Sequence, residues 1–170
     1  MNSKLILLNS LRWFVLLFIQ VFLLRNMGFY NLSTPFIYIL FLMLLPFNTP
    51  NFILYVLAFA TGITIDSFYD TLGVHTSACI VLAFVRIMFI SVSVTRDGFD
   101  EPEPTLGNMG IKWFILFAAL CILSHHLVLF LLEAFKFSEL SYTLLRCLIS
   151  SFFTFCLILL TESIFYNKSA

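Results

Sequence analysis

The chain has 170 residues, 61% of them hydrophobic and 11% charged, with nine basic residues balancing nine acidic ones and a mean hydropathy of +1.04. Soluble domains carry about 25% charged and roughly 45–50% apolar residues, so a water-soluble fold could not bury this much apolar surface, 22 phenylalanines included. The neutral charge balance excludes a global field that would draw the chain to nucleic acid. The composition calls for one integral membrane domain over 1–170, all-α and using lipid as its solvent.

A membrane helix needs about 20 predominantly apolar residues, and six candidate spans follow in chain order. The first covers 5–24, with Arg12 and Gln20 inside it, and reads as an anchor because it is too long for a signal-peptide core. The second, 32–47, rests on "PFIYILFLMLLPF" and is short, which leaves a re-entrant segment as the alternative. The turn "NTPN" at 48–51 then leads to a third span at 52–66, since proline disfavours helix in the residue before it. The fourth span covers 77–94. A polar loop follows at 95–112, "TRDGFDEPEPTLGNMGIK", whose glycines, prolines and acids argue for a solvated connection. The fifth and sixth spans cover 111–132 and 142–165.

Trp13, Tyr30, Trp113 and Tyr166 lie near span ends, where amphipathic rings favour the headgroup layer. Six crossings place both termini on one side. With the N-terminus inside, Lys4, Arg96, Lys112 and Lys168 are cytoplasmic, against Arg25, Lys136 and Arg146 outside, and this asymmetry favours cytoplasmic termini. The four cysteines, Cys79, Cys121, Cys147 and Cys156, all fall in apolar runs without a CxxC pair and read as packing residues, not as a zinc site.

Ionisable groups inside spans are costly in hydrocarbon and are functional candidates by default. The stretch "GITIDSFYDTLGVHTSA" at 62–78 places Asp66, Asp70 and His75 between spans three and four. Asp66 and Asp70 share a face if the helix continues, and Gly73 is expected to break it. Arg86 lies within span four, and an ion pair or a water-linked pair with Asp66 is one expectation. A capped turn is another, with His75, Thr76 or Ser77 closing the start of span four. A ligand or partner contact is the third reading. A catalytic reading lacks a nucleophile–base pair, and neither HExxH nor GxSxG occurs in the chain. In span five, His125 and His126 point about 100° apart on a helix of 3.6 residues per turn. His126 and Glu133, seven residues apart, could form a proton relay, whereas hydrogen bonding to a neighbouring helix is the simpler role. Gln20, Ser150, Ser151 and Thr154 read as interhelical hydrogen-bonding groups. Glu162 is expected to face headgroups or the bundle interior.

In order, the chain presents a hydrophobic anchor, then a proline-led short span ending in "LLP" at Leu44–Pro46. The stretch "FATGITIDSFYDTLGVHTSA" follows. This resembles MreD, the rod-shape-determining membrane protein family of bacterial cell-wall elongation. Gly62, Asp66, Gly73, His75 and Ala78 match the family's pattern of Gly-x-x-x-Asp, a glycine turn and a His-x-x-Ala-like start of the next span. The resemblance implies a non-enzymatic scaffold in the bacterial inner membrane that binds the single-span protein MreC, without cofactors. Its wider complex would include MreB, RodA and a class B penicillin-binding protein. It also implies a six-span fold similar to the substrate-binding subunits of energy-coupling-factor vitamin transporters. The runner-up function follows from that likeness, a small-molecule carrier recognising its ligand through Asp66, Asp70 and His75.

Overall fold

The structure is a computed structural model and describes residues 3–25, 33–93, 103–135 and 140–166. Among these residues it is all-helical, and five helices are long and apolar enough to cross a membrane. They are α1 (Ser3–Phe18, extended by a π-helical turn at Ile19–Leu24), α3 (Asn51–Tyr69), α4 (Val74–Ser93), α6 (Ile111–Ala134) and α7 (Leu140–Ile164). Two short helices lie between them, α2 (Ile39–Met43) and α5 (Leu106–Met109). The protein is therefore a multi-pass membrane protein. Large apolar side chains such as Phe14, Phe52, Phe84 and Leu148 stand exposed on its sides, as expected of a surface solvated by lipid.

The long helices follow the expected spans closely. α3, α4, α6 and α7 pack in sequence, each antiparallel to the last. Asp66 of α3 meets the start of α4, Phe89 of α4 meets Trp113 of α6, and Glu133 of α6 meets Arg146 of α7. The polar loop expected at 95–112 is described from Glu103 onward. There it folds back as α5, with the Thr105 hydroxyl accepting from Asn108 N–H as a helix cap. Residues 95–102 of that expected loop lie outside the described residues.

The expected second span is corrected. Residues 33–50 contain only the five-residue helix α2, and the chain on either side of it is not helical. "PFIYILFLMLLPF" is too short for a spanning helix, and Pro35 and Pro46 frame it. The segment is nevertheless the most buried part of the molecule. Every residue from Phe36 to Leu45 is at most 7% exposed. It threads antiparallel to α1 through the middle of the bundle, from Gln20 near its start to Arg12 near its end. Irregular backbone at this depth is tolerated only inside protein, because lipid offers no partner for an open N–H or C=O.

Side chains from three long helices supply those partners. At the start of the segment, Ser150 Oγ accepts from Thr34 N–H and Thr154 Oγ1 from Phe36 N–H, both at 3.0 Å. Gln20, turned inward in the π-helical end of α1, accepts from Ile37 N–H at 2.9 Å and donates to Pro35 O at 3.1 Å. At the far end, the Arg86 guanidinium donates to Met43 O and Pro46 O at 3.3 Å each, and also to Leu45 O. Arg12 makes a longer approach to Leu44 O at 3.5 Å and is held in place by Glu103 at 3.3 Å. These carbonyls close the C-terminal end of α2, where partial negative charge collects and a cation is favoured.

Replacing Arg86 by Met strands Met43 O and Leu45 O in the interior, at on the order of 3 kcal/mol. Unfolding of the detergent-solubilised protein should shift accordingly. Arg86→Lys should recover part of the loss, because an ammonium keeps the charge but lacks the planar fork that reaches several carbonyls.

Candidate functional site

The stretch at 62–78 forms the corner between α3 and α4. α3 ends at Asp70, whose left-handed conformation (φ 56°) lets its N–H and that of Thr71 return to Asp66 O. Gly73, at φ 80°, turns the chain into α4. Asp66 sits one turn before the end of α3, and its carboxylate reaches across the corner to the open N-terminus of α4. Oδ1 accepts from His75 N–H at 3.0 Å and from the Thr71 hydroxyl at 2.5 Å. Oδ2 accepts from Thr76 N–H at 3.0 Å and from the Thr76 hydroxyl at 2.6 Å. An aspartate of the preceding helix thus caps the following one, in the place where the local residues 75–77 were the expected caps. The carboxylate also lies at the positive end of the α4 dipole.

Gly62, one turn earlier on α3, is the point of closest approach between the two helices. A Cβ built there would lie 2.3 Å from Thr76 Cα and 2.8 Å from Thr76 N. Only a glycine lets α4 come near enough for Asp66 to reach both backbone donors. Gly62 and Asp66, four residues apart, therefore act together as contact and clasp.

The expected ion pair between Asp66 and Arg86 does not form. Their partners lie at opposite ends of the bundle: Asp66 serves the start of α4 and Arg86 the end of α2. Each satisfies open backbone groups, which need a charged partner as much as another charge does. Asp70 faces outward, 88% exposed, 3.6 Å from Arg25, a pair that contributes little in solvent. Glu133 pairs with Arg146 at 3.2 Å and not with His126, so the anticipated relay is not assembled.

All three histidines of the chain meet in one buried cluster. The Tyr38 hydroxyl bridges His75 Nδ1 at 3.0 Å and His125 Nε2 at 2.7 Å. A hydroxyl has one proton, so one imidazole accepts from Tyr38 and the other donates to it. His126 lies alongside, 2.9 Å from Ile122 O through Nδ1 and 3.0 Å from Thr154 Oγ1 through Nε2. The Phe36 ring packs against His75, His125 and His126, with centroids 5.4–6.2 Å away. The cluster ties α4, α6 and α7 to the threaded segment. Among the described residues, no group of His, Cys, Asp or Glu has the arrangement of a metal site.

Tyr38 is the residue that sequence reasoning missed. Its signal was present, as a lone hydroxyl in an otherwise apolar run too short to span. Of the polar groups assigned to interhelical bonding, Gln20 bonds Tyr69 of α3 and Thr154 bonds His126 of α6 as expected, and Gln20, Ser150 and Thr154 also bond the backbone of the threaded segment. Glu162 faces the bundle and accepts from Leu106 N–H at 2.9 Å.

One open pocket of about 530 Å³ adjoins the corner, lined by Asp66, Asp70, Thr71 and Thr76 on its polar side and by Phe59 and Ile63 on its apolar side. The Asp66 oxygens that border it already accept four hydrogen bonds. Comparison of the chain with protein-family models, with curated proteins and with solved structures finds no match.

A graded series tests the corner by unfolding in detergent. Gly62→Ala should be the most damaging, because its Cβ meets backbone that cannot move aside. Asp66→Asn, with an amide facing two donors, should cost about 2–3 kcal/mol, and Gly73→Ala about 1–2 kcal/mol from the left-handed backbone alone. Asp70→Asn, which removes the exposed charge but keeps a residue tolerant of the left-handed backbone, should leave unfolding unchanged. Tyr38→Phe strands two imidazole nitrogens and should cost about 1–3 kcal/mol, measured in the same way.

Proposed function

We propose that this protein is a non-enzymatic membrane scaffold of the MreD type. In this reading it lies in the bacterial inner membrane with both termini in the cytoplasm. It binds an MreC-like single-span protein and helps to position the wall-elongation complex of MreB, RodA and a class B penicillin-binding protein. The observation that carries the reading is how the signature stretch is used. Of the residues that match the family pattern, Gly62, Asp66, Gly73 and His75 serve the corner between α3 and α4 or the buried cluster behind it, and Ala78 is fully buried on α4. Residues used in this way build a shape, and a shape is what a scaffold offers its partner.

The threaded segment supports the same reading. A carrier of the transporter type leaves half-helix ends and unwound carbonyls free to hold its cargo. Here Arg86 and Arg12 fill the carbonyl end, while Gln20, Ser150 and Thr154 fill the N–H end. In this reading the fold is a six-crossing one similar to that of vitamin-transporter substrate subunits, with the threaded segment as the second crossing.

The carrier reading is favoured by one feature, the pocket beside Asp66, Asp70 and Thr71. Co-purification in mild detergent separates the two. Stable recovery with an MreC-like protein, but not with an unrelated single-span protein, is the expected result. Release of a vitamin-sized molecule on denaturing the purified chain, with no recovery of the single-span partner, would replace the scaffold with the carrier.

A further inference from the structure

The geometry of the histidine cluster fixes where its protons sit. Ile122 O can only accept, so His126 Nδ1, 2.9 Å from it, carries a proton. His126 Nε2 is then the bare nitrogen, and it accepts from the Thr154 hydroxyl at 3.0 Å. Thr154 Oγ1 in turn accepts from Phe36 N–H. At the Tyr38 bridge, His125 sets the direction. Its Nδ1 is buried without a partner among the described residues, and protein interiors leave an acceptor open more readily than an N–H. The His125 proton therefore sits on Nε2 and is donated to Tyr38 Oη at 2.7 Å. The Tyr38 proton goes on to His75 Nδ1 at 3.0 Å, which is bare to receive it. All three imidazoles are neutral in this arrangement. Neither His75 nor His126 can take a second proton without displacing the hydroxyl that faces it, and a proton added at His125 Nδ1 would be a charged N–H with no acceptor.

We propose that the cluster is a proton-operated latch on the start of the threaded segment. A proton taken from water by His75 Nδ1 forms an N–H where the Tyr38 proton pointed. The Tyr38 hydroxyl keeps its own proton, has no acceptor left and turns away, which breaks the bridge between α4 and α6. A proton on His126 Nε2 displaces the Thr154 hydroxyl in the same manner. Tyr38 and Phe36, the residues held by these bonds, both lie at the start of the segment. The far end is held by the guanidiniums of Arg86 and Arg12, which have no acceptor for a further proton. The groups around the latch come from every packed element. From α3, Asp66 accepts from His75 N–H, and the Tyr69 ring lies 5.1 Å from the His75 ring. α4 adds Cys79, with Sγ 4.0 Å from Tyr38 Oη. On α6, the His125 and His126 rings are 5.3 Å apart, so charge on both is opposed. α7 presents Thr154, with Arg146 over Phe130 beyond His126. α1 presents Gln20, bonded to Tyr69, and Arg25 lies over the Tyr69 ring. Asp66 is the carboxylate of this group and lines the open corner pocket with Thr76, so a proton arriving from water meets His75 first. An imidazole released from the cluster titrates at about pH 6.5. Below that value the open form binds protons that the closed form does not, so opening is favoured as pH falls. Above it the two forms bind protons equally and pH has no effect.

Hydrogen–deuterium exchange of the full chain in phosphatidylethanolamine–phosphatidylglycerol nanodiscs, corrected for the intrinsic rate at each pH, reads the latch directly. Between pH 7.5 and pH 5.0 the peptide over 34–38 should lose protection by about thirtyfold, the factor for one imidazole taken about 1.5 units below its ordinary value. Protection over 42–49 should not change. Solid-state NMR of the histidine-labelled chain should show His126 protonated at Nδ1 and His75 at Nε2 at pH 7.5, with imidazolium signals at pH 5.0. The variant His75→Asn/His125→Gln/His126→Gln places amides where the bonded ring nitrogens stood, and should keep its protection over 34–38 at both pH values. Unchanged protection over 34–38 at pH 5.0 in the unaltered chain, or an equal loss over 42–49, would overturn the proposal. So would the opposite tautomers, a loss of protection without imidazolium signals, or an acid response that persists in the triple variant. If that variant does not fold, the tautomers and the joint appearance of imidazolium and lost protection in the unaltered chain decide.

Discussion

Backbone amides and carbonyls cannot be left open in a bilayer. A long helix satisfies them within itself, but residues 33–50 do not form one, and they lie in the middle of the bundle. The polar residues buried in this chain make sense once this is seen. Gln20, Ser150 and Thr154 meet the N–H groups at the start of the segment, and Arg86 with Arg12 meets the carbonyls at its end. Each would be costly alone in hydrocarbon, and each offsets a comparable cost on the backbone. Arg86 gives the open carbonyls at the end of α2 a permanent counter-charge supplied by the protein.

The corner between α3 and α4 follows the same logic at the bundle's edge. The first N–H groups of any helix lack internal partners. At the start of α4 that need is met by Asp66 from the preceding helix, brought within reach because Gly62 removes a side chain from the contact. The carboxylate, the glycine and the left-handed turn form one joint. Behind it, Tyr38 links the joint to the histidine cluster through His75, so the corner and the threaded segment form one connected polar core. The joint and the histidine cluster hold α3, α4, α6 and the threaded segment in one defined relation.

Much of this architecture was legible before the structure. Five of the six expected spans are helices close to their expected limits, since a run of about 20 apolar residues has few alternatives in lipid. The corner was legible as a turn from Gly73, and Asp66 was legible as a group needing a partner. The pairing was not. Asp66 with Arg86 was a reasonable expectation from charge alone, but hydrogen bonds to open helix ends compete with ion pairs, and only the packing shows where those ends lie. His125 and His126 looked remote from His75, because the segment carrying Tyr38 between them is distant in sequence from all three.

What the sequence determined by itself is the solvent, the class and the long helices. These depend on composition and on local runs of residues, which the chain states directly. The tertiary structure decided the fate of the short second run and the partner of every buried polar group. Both depend on which distant side chains arrive at an open backbone group, and no local pattern encodes that arrival.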